Sequence, residues 1–160
     1  MMDNEFGRAY VDWCRQRLMK QYWPRIQRCV SELTNDEIWW RAHENNNSVG
    51  NLLIHLTGNL GQFVLSGIGG GQDTRNRERE FGERTHVPKE ELVRQLESAM
   101  METDRILGQF DPRRLLDHTN LLNRERTFLE VMAIVVEHFA LHVGQIIYIT
   151  KLKTGKELNF

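Results

Sequence analysis

One segment, residues 127–153, constrains the fold more than any other, because it is long and apolar and yet carries two histidines. Thr127 and Glu130 fit a capping box, a threonine with a glutamate three residues on, so we predict a helix that begins here and continues to about Lys153. Polar residues interrupt its apolar part at five positions: Glu130, Glu137, His138, His142 and Gln145. A membrane span needs about 20 mostly apolar residues, so we predict a helix in a protein core and no contact with a membrane.

The two histidines of this helix, His138 and His142, lie four residues apart. Residues at this spacing share one helical face, with Cβ atoms about 5–6 Å apart, and a helical wheel places both in the apolar arc. A buried imidazole without a hydrogen-bond partner lowers the stability of the folded protein by about 1–3 kcal/mol. Two explanations are open at this point: each ring is hydrogen-bonded within the core, to a backbone carbonyl or a tyrosine, or both rings bind one metal ion. The motif is not His-Glu-x-x-His of zinc proteases, because Phe139 follows His138.

Three further segments show helical periodicity. In the first, Glu5 to Leu33, apolar residues recur at steps of three or four: Phe6, Tyr10, Trp13, Leu18, Tyr22, Ile26, Cys29 and Leu33. Pro24 lies inside it, and a proline removes one helical hydrogen bond and clashes with the preceding turn. Either the helix kinks at Pro24, or a new helix begins there with proline at its first position.

The second of these segments is a predicted helix from about Val49 to Leu65, ended by the glycine-rich residues 66–71. The third begins near Pro88, which suits a first helical position, and stops at Asp111-Pro112. Its predicted inner face consists of Leu92, Leu96, Met100, Thr103, Leu107 and Phe110. Residues 113–126 show no helical period, so we predict a long loop that is extended in part.

Four substantial helices with little strand signal predict an all-α fold, a four-helix bundle, and the length suits a single domain, residues 1–160. With a formal net charge of −1, the protein has no overall electrostatic attraction to nucleic acid or to an anionic membrane. We therefore expect neither as a partner. Cys14 and Cys29 would lie roughly 22 Å apart on one continuous helix, beyond the reach of a disulfide. Reduced thiols and the lack of a recognisable signal peptide predict a cytoplasmic protein.

A third histidine on a predicted helix, His55, lies in a polar stripe without a charged residue. On the wheel this stripe comprises Ser48, Asn51, His55, Asn59 and Gln62. An exposed helix face usually carries charges, so the stripe suits the wall of a polar pocket better than a solvent face. His55 is therefore the candidate for a third ligand. The remaining histidines lie in predicted loops: His43, His86 and His118.

Residues 73–84 alternate acids and bases around Phe81. We predict a solvated loop held together by ion pairs. Arg75 and Arg77 would then pair with the acidic residues of the same segment: Asp73, Glu78 and Glu80. The alternative is that these arginines bind a carboxylate or phosphate of a ligand.

Several stretches together carry a resemblance to a known superfamily. They are Trp39-Trp40, residues 47–56, Gly58-Asn59, the pattern Asp73-x-Arg75-x-Arg77-x-x-Glu80-Phe81, the pattern Glu137-His138-x-x-x-His142-x-Gly144-Gln145, and residues 151–160. On these stretches, which are spread over nearly the whole chain, the sequence resembles the DinB/YfiT-like superfamily of metal-dependent four-helix-bundle proteins. It is most similar to a branch that is a domain of unknown function.

This resemblance implies a bundle whose second and fourth helices present His55, His138 and His142 to one divalent metal ion. Three imidazoles suit Zn, Ni, Fe or Mn, and they leave a position for water or substrate, as in catalytic sites. The resemblance also implies a homodimer. Some relatives are similar to isomerases or S-transferases that use mycothiol or bacillithiol, so a small-molecule thiol cosubstrate is a further expected partner.

Two functional hypotheses follow. In the first, the protein is a metal-dependent enzyme, a thiol-dependent S-transferase or a hydrolase; in the second, it is a non-catalytic metal- or ligand-binding protein linked to stress. Asn51, Asn59 and Gln145 flank the histidines on the wheels and are candidates for orienting them or a substrate. Glu137 points away from that face. The lack of a strong base beside the histidines favours the second hypothesis, or a thiol mechanism, over hydrolysis.

Overall fold

The protein is mostly helical with one small two-stranded sheet, as seen in a computed structural model that describes residues 2–83 and 87–160. The α-helices are α1 (Met2–Gln16), α2 (Trp23–Ser31), α3 (Val49–Leu60), α4 (Arg77–Gly82), α5 (Lys89–Gln109) and α6 (Phe128–Thr154). The π-helical turns Arg17–Tyr22 and Gly61–Ser66 follow α1 and α3, and 3-10 turns span Glu37–Trp39 and Pro112–Arg114. The strands are β1 (His118–Leu121) and β2 (Arg124–Thr127).

The first predicted helix is a continuous helical path through α1 and α2, with a π-helical turn in its middle. In that turn the backbone N–H of Trp23 donates to the carbonyl of Leu18, five residues back. Pro24 follows in the first turn of α2, and the residue that precedes this helix, Tyr22, has helical angles itself (φ −83°, ψ −46°). The structure therefore shows one continuous helical path with a π-helical turn immediately before the proline, and not a separate helix that begins at Pro24.

The second and third predicted helices are confirmed with small differences in their bounds. α3 begins after Ser48, whose side chain accepts a hydrogen bond from the backbone N–H of Asn51, and its π-helical continuation ends at Ser66. Pro88 is the N-cap of α5 and not its first residue. The predicted inner face of α5 is buried throughout: Leu92, Leu96, Met100, Thr103, Leu107 and Phe110.

The predicted long loop at residues 113–126 is wrong in part, because the chain forms a β-hairpin there. β1 and β2 pair antiparallel, with His118 opposite Thr127. The two turn residues, Leu122 and Asn123, have φ angles of 55° and 58°, as a two-residue type I′ turn requires. His118 therefore lies on a strand and not in a loop.

The long helices surround one hydrophobic core. α3 packs against α5 and α6, α2 against α6, and α1 against α5. By length and composition alone α6 could also cross a membrane, but the core helix of a soluble protein passes the same test. Its inner side is buried at Val131, Val135, Phe139, Val143 and Ile146, as in a core helix. Cys14 and Cys29 are buried in this core and unbridged, as predicted.

Candidate metal centre

α6 carries two of the candidate ligands on its inner side. Its first turn is fixed by the predicted capping box: the backbone N–H of Glu130 donates to Oγ1 of Thr127 at 3.2 Å, and the Thr127 N–H donates to the Glu130 carboxylate at 2.7 Å. Gly155, in the left-handed conformation, follows its last residue. Between these ends His142 is buried and His138 half-buried, which confirms their predicted setting.

α3 brings His55 to these two residues. The ring centroid of His55 lies 4.8 Å from those of His138 and His142, and the latter two centroids are 4.4 Å apart. Nε2 of His55 is 2.8 Å from Nε2 of His138. One nitrogen from each ring lies within 4.8 Å of the others. The three histidines thus form a cluster that could hold a metal ion, built from two helices far apart in the sequence.

A carboxylate that the sequence did not assign to the site, Glu80, belongs to this cluster. Its Oε2 lies 2.7 Å from Nδ1 of His55, and its side chain is only 5% exposed. Arg75 donates to the same carboxylate twice, from Nε to Oε1 at 2.7 Å and from Nη2 to Oε2 at 3.0 Å. The Arg75–Glu80 ion pair was predicted. The prediction of a solvated loop is wrong in part, because Arg77–Gly82 form α4 and the side chains of Arg75 and Glu80 are buried against α3.

Amides of the polar stripe on α3 and its π-helical continuation hold this segment in place. Gln62 donates to the Asp73 carboxylate at 2.8 Å and accepts a hydrogen bond from Arg75 at 3.0 Å. Asn51 donates to the backbone carbonyl of Glu80 at 3.0 Å. The stripe is therefore a polar wall on which another part of the chain packs. Asn51, predicted to orient the histidines or a substrate, acts on the cluster through this segment.

Gly58 leaves the space that Glu80 occupies. A Cβ atom at position 58 would lie 2.1 Å from Oε1 of Glu80 and 3.2 Å from Nε of Arg75. Any larger residue here would displace the carboxylate from His55. One packing reason for a glycine inside a helix is the close approach of another group. Gly58 is thus a sequence signal that pointed to a group packed against α3, which the structure identifies as Glu80.

The other two predicted orienting residues, Gln145 and Asn59, differ in what they contact. Oε1 of Gln145, at the surface, lies 2.8 Å from Nδ1 of His142. Asn59 is 2% exposed, and its Oδ1 has no hydrogen-bond partner within the described part of the chain. Asn59 lines a cavity together with His55 and His138.

Burial favours the neutral form of all three imidazoles. Burial lowers the pKa of His55 to about 4, although the hydrogen bond to Glu80 acts in the opposite direction. Burial and then the nearby histidines lower the pKa of His138 to about 4, and burial also lowers the pKa of His142. Burial alone would raise the pKa of Glu80, but its bonds from Arg75 and His55 outweigh this effect and lower it. At neutral pH the site therefore consists of three neutral imidazoles beside the ionised carboxylate of Glu80, whose negative charge is balanced by the positive charge of Arg75.

The predicted ion pairs of Arg77 are not formed. Its guanidinium lies 5.4 Å from the centroid of the Phe81 ring, and none of the acidic residues in the described ranges lies within ion-pair distance of it. The alternative prediction, a role in binding an anionic ligand, therefore stays open for Arg77, whereas Arg75 is committed to Glu80.

The chain as a whole matches one protein family. The family model described as "Protein of unknown function (DUF1572)" matches residues 5–160. The chain belongs to the DUF1572 family. No curated protein matches it. The histidine cluster, Glu80 and Arg75 all lie within the matched residues, so the site is part of the DUF1572 domain.

The remaining candidates from the sequence lie away from the cluster. His43 is exposed in the loop before α3, and His118 is exposed on β1. His86 lies outside the described residues. Glu137 is exposed on α6 and does not face the three rings, as the wheel predicted. The carboxylate closest to the histidines in the described chain is therefore Glu80 and not the glutamate that precedes them in sequence.

Proposed function

We propose that this protein binds one divalent transition metal ion, Zn, Ni, Fe or Mn, through His55, His138 and His142. The observation that carries the proposal is the cluster of three ring nitrogens within 4.8 Å of one another. Metal binding requires deprotonated ligands, and burial keeps these imidazoles neutral. Structural zinc sites use four protein ligands, whereas catalytic sites use three, so the number of ligands favours a catalytic site.

The hydrogen bonds around the cluster suit a metal ion. Nδ1 of His55 is bound to Glu80, and Nδ1 of His142 is bound to Gln145, which leaves Nε2 of both rings for the centre. A single proton can link Nε2 of His55 to Nε2 of His138, whereas a metal ion accepts a lone pair from all three rings. Carboxylate–histidine pairs such as Glu80–His55 commonly fix the tautomer of a metal ligand.

We further infer that the helices form a four-helix bundle of the DinB/YfiT-like type. Four long helical paths surround the core, at residues 2–31, 49–66, 89–109 and 128–154. The ligands lie on the second and fourth of these paths, as the resemblance implies.

The residues around the site favour a thiol-dependent reaction over hydrolysis. A metal ion held here would act as a Lewis acid and lower the pKa of a bound water or thiol. Glu80 is bound by Arg75 and His55 and is not free to act as a general base. Burial raises the pKa of the Cys14 and Cys29 thiols to about 11, so neither is a nucleophile at neutral pH. A reacting thiol would therefore have to be a small-molecule cosubstrate, and a thiol-dependent S-transferase is the activity we propose.

The second candidate is a non-catalytic metal- or ligand-binding protein linked to stress, as the tight fixation of Glu80 would also allow. Turnover assays separate the two. The reconstituted protein would be incubated with a panel of electrophiles and bacillithiol or another small thiol. Product formation supports the enzyme. No turnover with any thiol, together with a large loss of melting temperature on metal removal, supports the non-catalytic function.

Elemental analysis tests the metal site directly. Untagged protein reconstituted with each metal should hold about one ion per chain, and His138→Ala should abolish this content. His118→Ala is the matched control, because His118 is exposed on β1, and it should retain the metal. A reconstituted wild-type protein without metal would refute the site.

A cytoplasmic homodimer completes the proposal. The outer side of α6 exposes Leu141, Tyr148 and Leu152, apolar side chains that a second copy of the chain would cover. Sedimentation equilibrium should give the mass of two chains, and a mass close to one chain would count against the dimer.

A further inference from the structure

A small cavity lies beside the histidine cluster, between α3, α6, the segment before α4 and the turn of the hairpin. Its volume is about 250 Å³, below the range of about 300–1,000 Å³ typical of sites for drug-sized ligands. The lining residues that matter here are His55, His138, Asn59, Arg77, Leu122 and Ile134. A molecule in this cavity would touch two of the proposed metal ligands.

Asn59 provides an unused acceptor in the wall of this cavity. The residue is 2% exposed, and its Oδ1 has no partner among the residues that the structure describes. An unsatisfied buried polar group is unfavourable. Asn59 lines the cavity while its Oδ1 is closed off from solvent, so a rotation of the side-chain amide would bring this oxygen to a hydrogen-bond donor on a ligand.

Arg77 provides an uncommitted positive charge at the same cavity. The other arginine in the lining, Arg75, is bound to Glu80 through two hydrogen bonds. Arg77 stacks over Phe81 and has no carboxylate within ion-pair distance in the described ranges. Its guanidinium is therefore available for a charge-assisted hydrogen bond to an anionic group.

The remaining lining is apolar on one side. Leu122, from the turn between β1 and β2, and Ile134, from α6, contribute side chains to the cavity. A ligand that fits must therefore combine a short apolar part with one anionic group and one donor. A purely polar ion such as inorganic phosphate would leave the two apolar side chains without a contact.

We propose that this cavity binds a small carboxylic acid that carries a hydroxyl, amino or thiol group, with the carboxylate paired to Arg77 and the donor group bonded to Oδ1 of Asn59. This names the substrate class of the proposed metal site and so rests on the proposed function. The pairing itself requires only the side chains of the cavity, so it is testable on metal-free protein.

Three probe molecules of similar size separate the contacts: lactate has both groups, propionate lacks the hydroxyl, and 1,2-propanediol lacks the charge. Each would be titrated into metal-free, full-length protein and followed by NMR. Because a hydrogen bond to a charged group is stronger than one between neutral groups, lactate should bind about tenfold or more tightly than 1,2-propanediol. It should also bind more tightly than propionate.

Two variants assign these differences to residues. Arg77→Gln should weaken lactate binding about tenfold and leave 1,2-propanediol unchanged. Arg79→Gln is the control, because Arg79 is also exposed on α4 but lines a different cavity, and it should bind lactate as the wild type does. In Asn59→Leu, of similar volume, the preference for lactate over propionate should disappear.

The outcomes distinguish this inference from the metal site. If wild-type protein holds metal but Arg77→Gln binds lactate as tightly as the wild type, the cavity assignment is wrong and the metal site stands. If lactate binds as proposed but no metal is retained, the cavity assignment stands and the metal site is wrong. Equal binding of all three probes to the wild type would overturn the substrate class even if Asn59→Leu fails to fold.

Discussion

Replacement of Gly58 by alanine would break the hydrogen bond between Glu80 and His55 while both of these residues stay unsubstituted. The new Cβ would lie 2.1 Å from Oε1 of Glu80 and 3.2 Å from Nε of Arg75. Non-bonded heavy atoms are most stable at about 3.5–4.0 Å, so the carboxylate must move by more than roughly 1 Å. The hydrogen bond to His55, now 2.7 Å, would then exceed the usual limit of about 3.2 Å.

The expected loss in metal binding is similar in size to the expected loss in folding stability, and the two are measured separately. Loss of a partner that orients a metal ligand typically lowers metal affinity about 10- to 100-fold, or by about 1.4–2.8 kcal/mol. In the metal-free protein, an unpaired Nδ1 of His55 costs about 1–3 kcal/mol, and alanine in place of Gly58 stabilises the helix by about 0.5–1 kcal/mol. The net cost to folding is below the total stability of about 5–15 kcal/mol that is typical of a domain, so the variant should still fold and should bind metal weakly.

Competition titration against a chromophoric chelator measures this loss, and circular dichroism checks that helix content is unchanged. Gly61→Ala is the matched control, because a Cβ at position 61 would meet no atom within 4 Å, and its metal affinity should equal that of the wild type. Glu80→Gln, which keeps the shape and removes the charge, should resemble Gly58→Ala. If both variants bind metal as tightly as Gly61→Ala, Glu80 does not position His55.

Three further predictions concern pH, the thiols and the surface of α6. His55 and His138 titrate near pH 4 when folded and near about 6.5 when unfolded, so the unfolded chain binds more protons between these values. The metal-free protein should therefore lose stability as the pH falls from about 6.5 to 4, by up to about 3 kcal/mol per histidine; urea unfolding curves that coincide at pH 7 and 4.5 would contradict this. Because Cys14 and Cys29 are buried, neither should react with a thiol reagent until denaturant is added, and a fast reaction in the native protein would show that the core is open. Tyr148→Glu should convert a dimer to monomers in sedimentation experiments, and an unchanged mass would place the interface elsewhere.

Local patterns in the sequence were sufficient for the helices and for the histidines. Capping residues and the period of apolar side chains act within a few residues, so α3, α5 and α6 could be predicted nearly to their ends. The uncharged stripe around His55 indicated a polar wall, because solvent would have favoured charged residues at these positions. The spatial meeting of His55 with the pair on α6 required the family resemblance.

Glu80 and the hairpin were missed because their structure depends on contacts that are distant in sequence. Alternating acids and bases, as at residues 73–84, are compatible with solvent, and only the amides of α3 and the space above Gly58 bring the segment into the interior. The hairpin has short strands, and its turn, Leu122-Asn123, lacks the glycine that usually marks a two-residue connection. Its pairing therefore had no local signal.

The turn of the hairpin suggests a trade-off between stability and function. Leu122 has a φ of 55°, a left-handed conformation that costs a leucine about 1–2 kcal/mol. The same side chain lines the cavity beside His138, where a glycine would relieve the strain but leave a gap. Leu122→Gly should therefore raise the melting temperature in calorimetry by about 2–4 °C per kcal/mol gained, and an unchanged or lower value would show that the turn is not strained. At Leu122 a strained backbone and a contribution to the cavity wall thus meet in one residue.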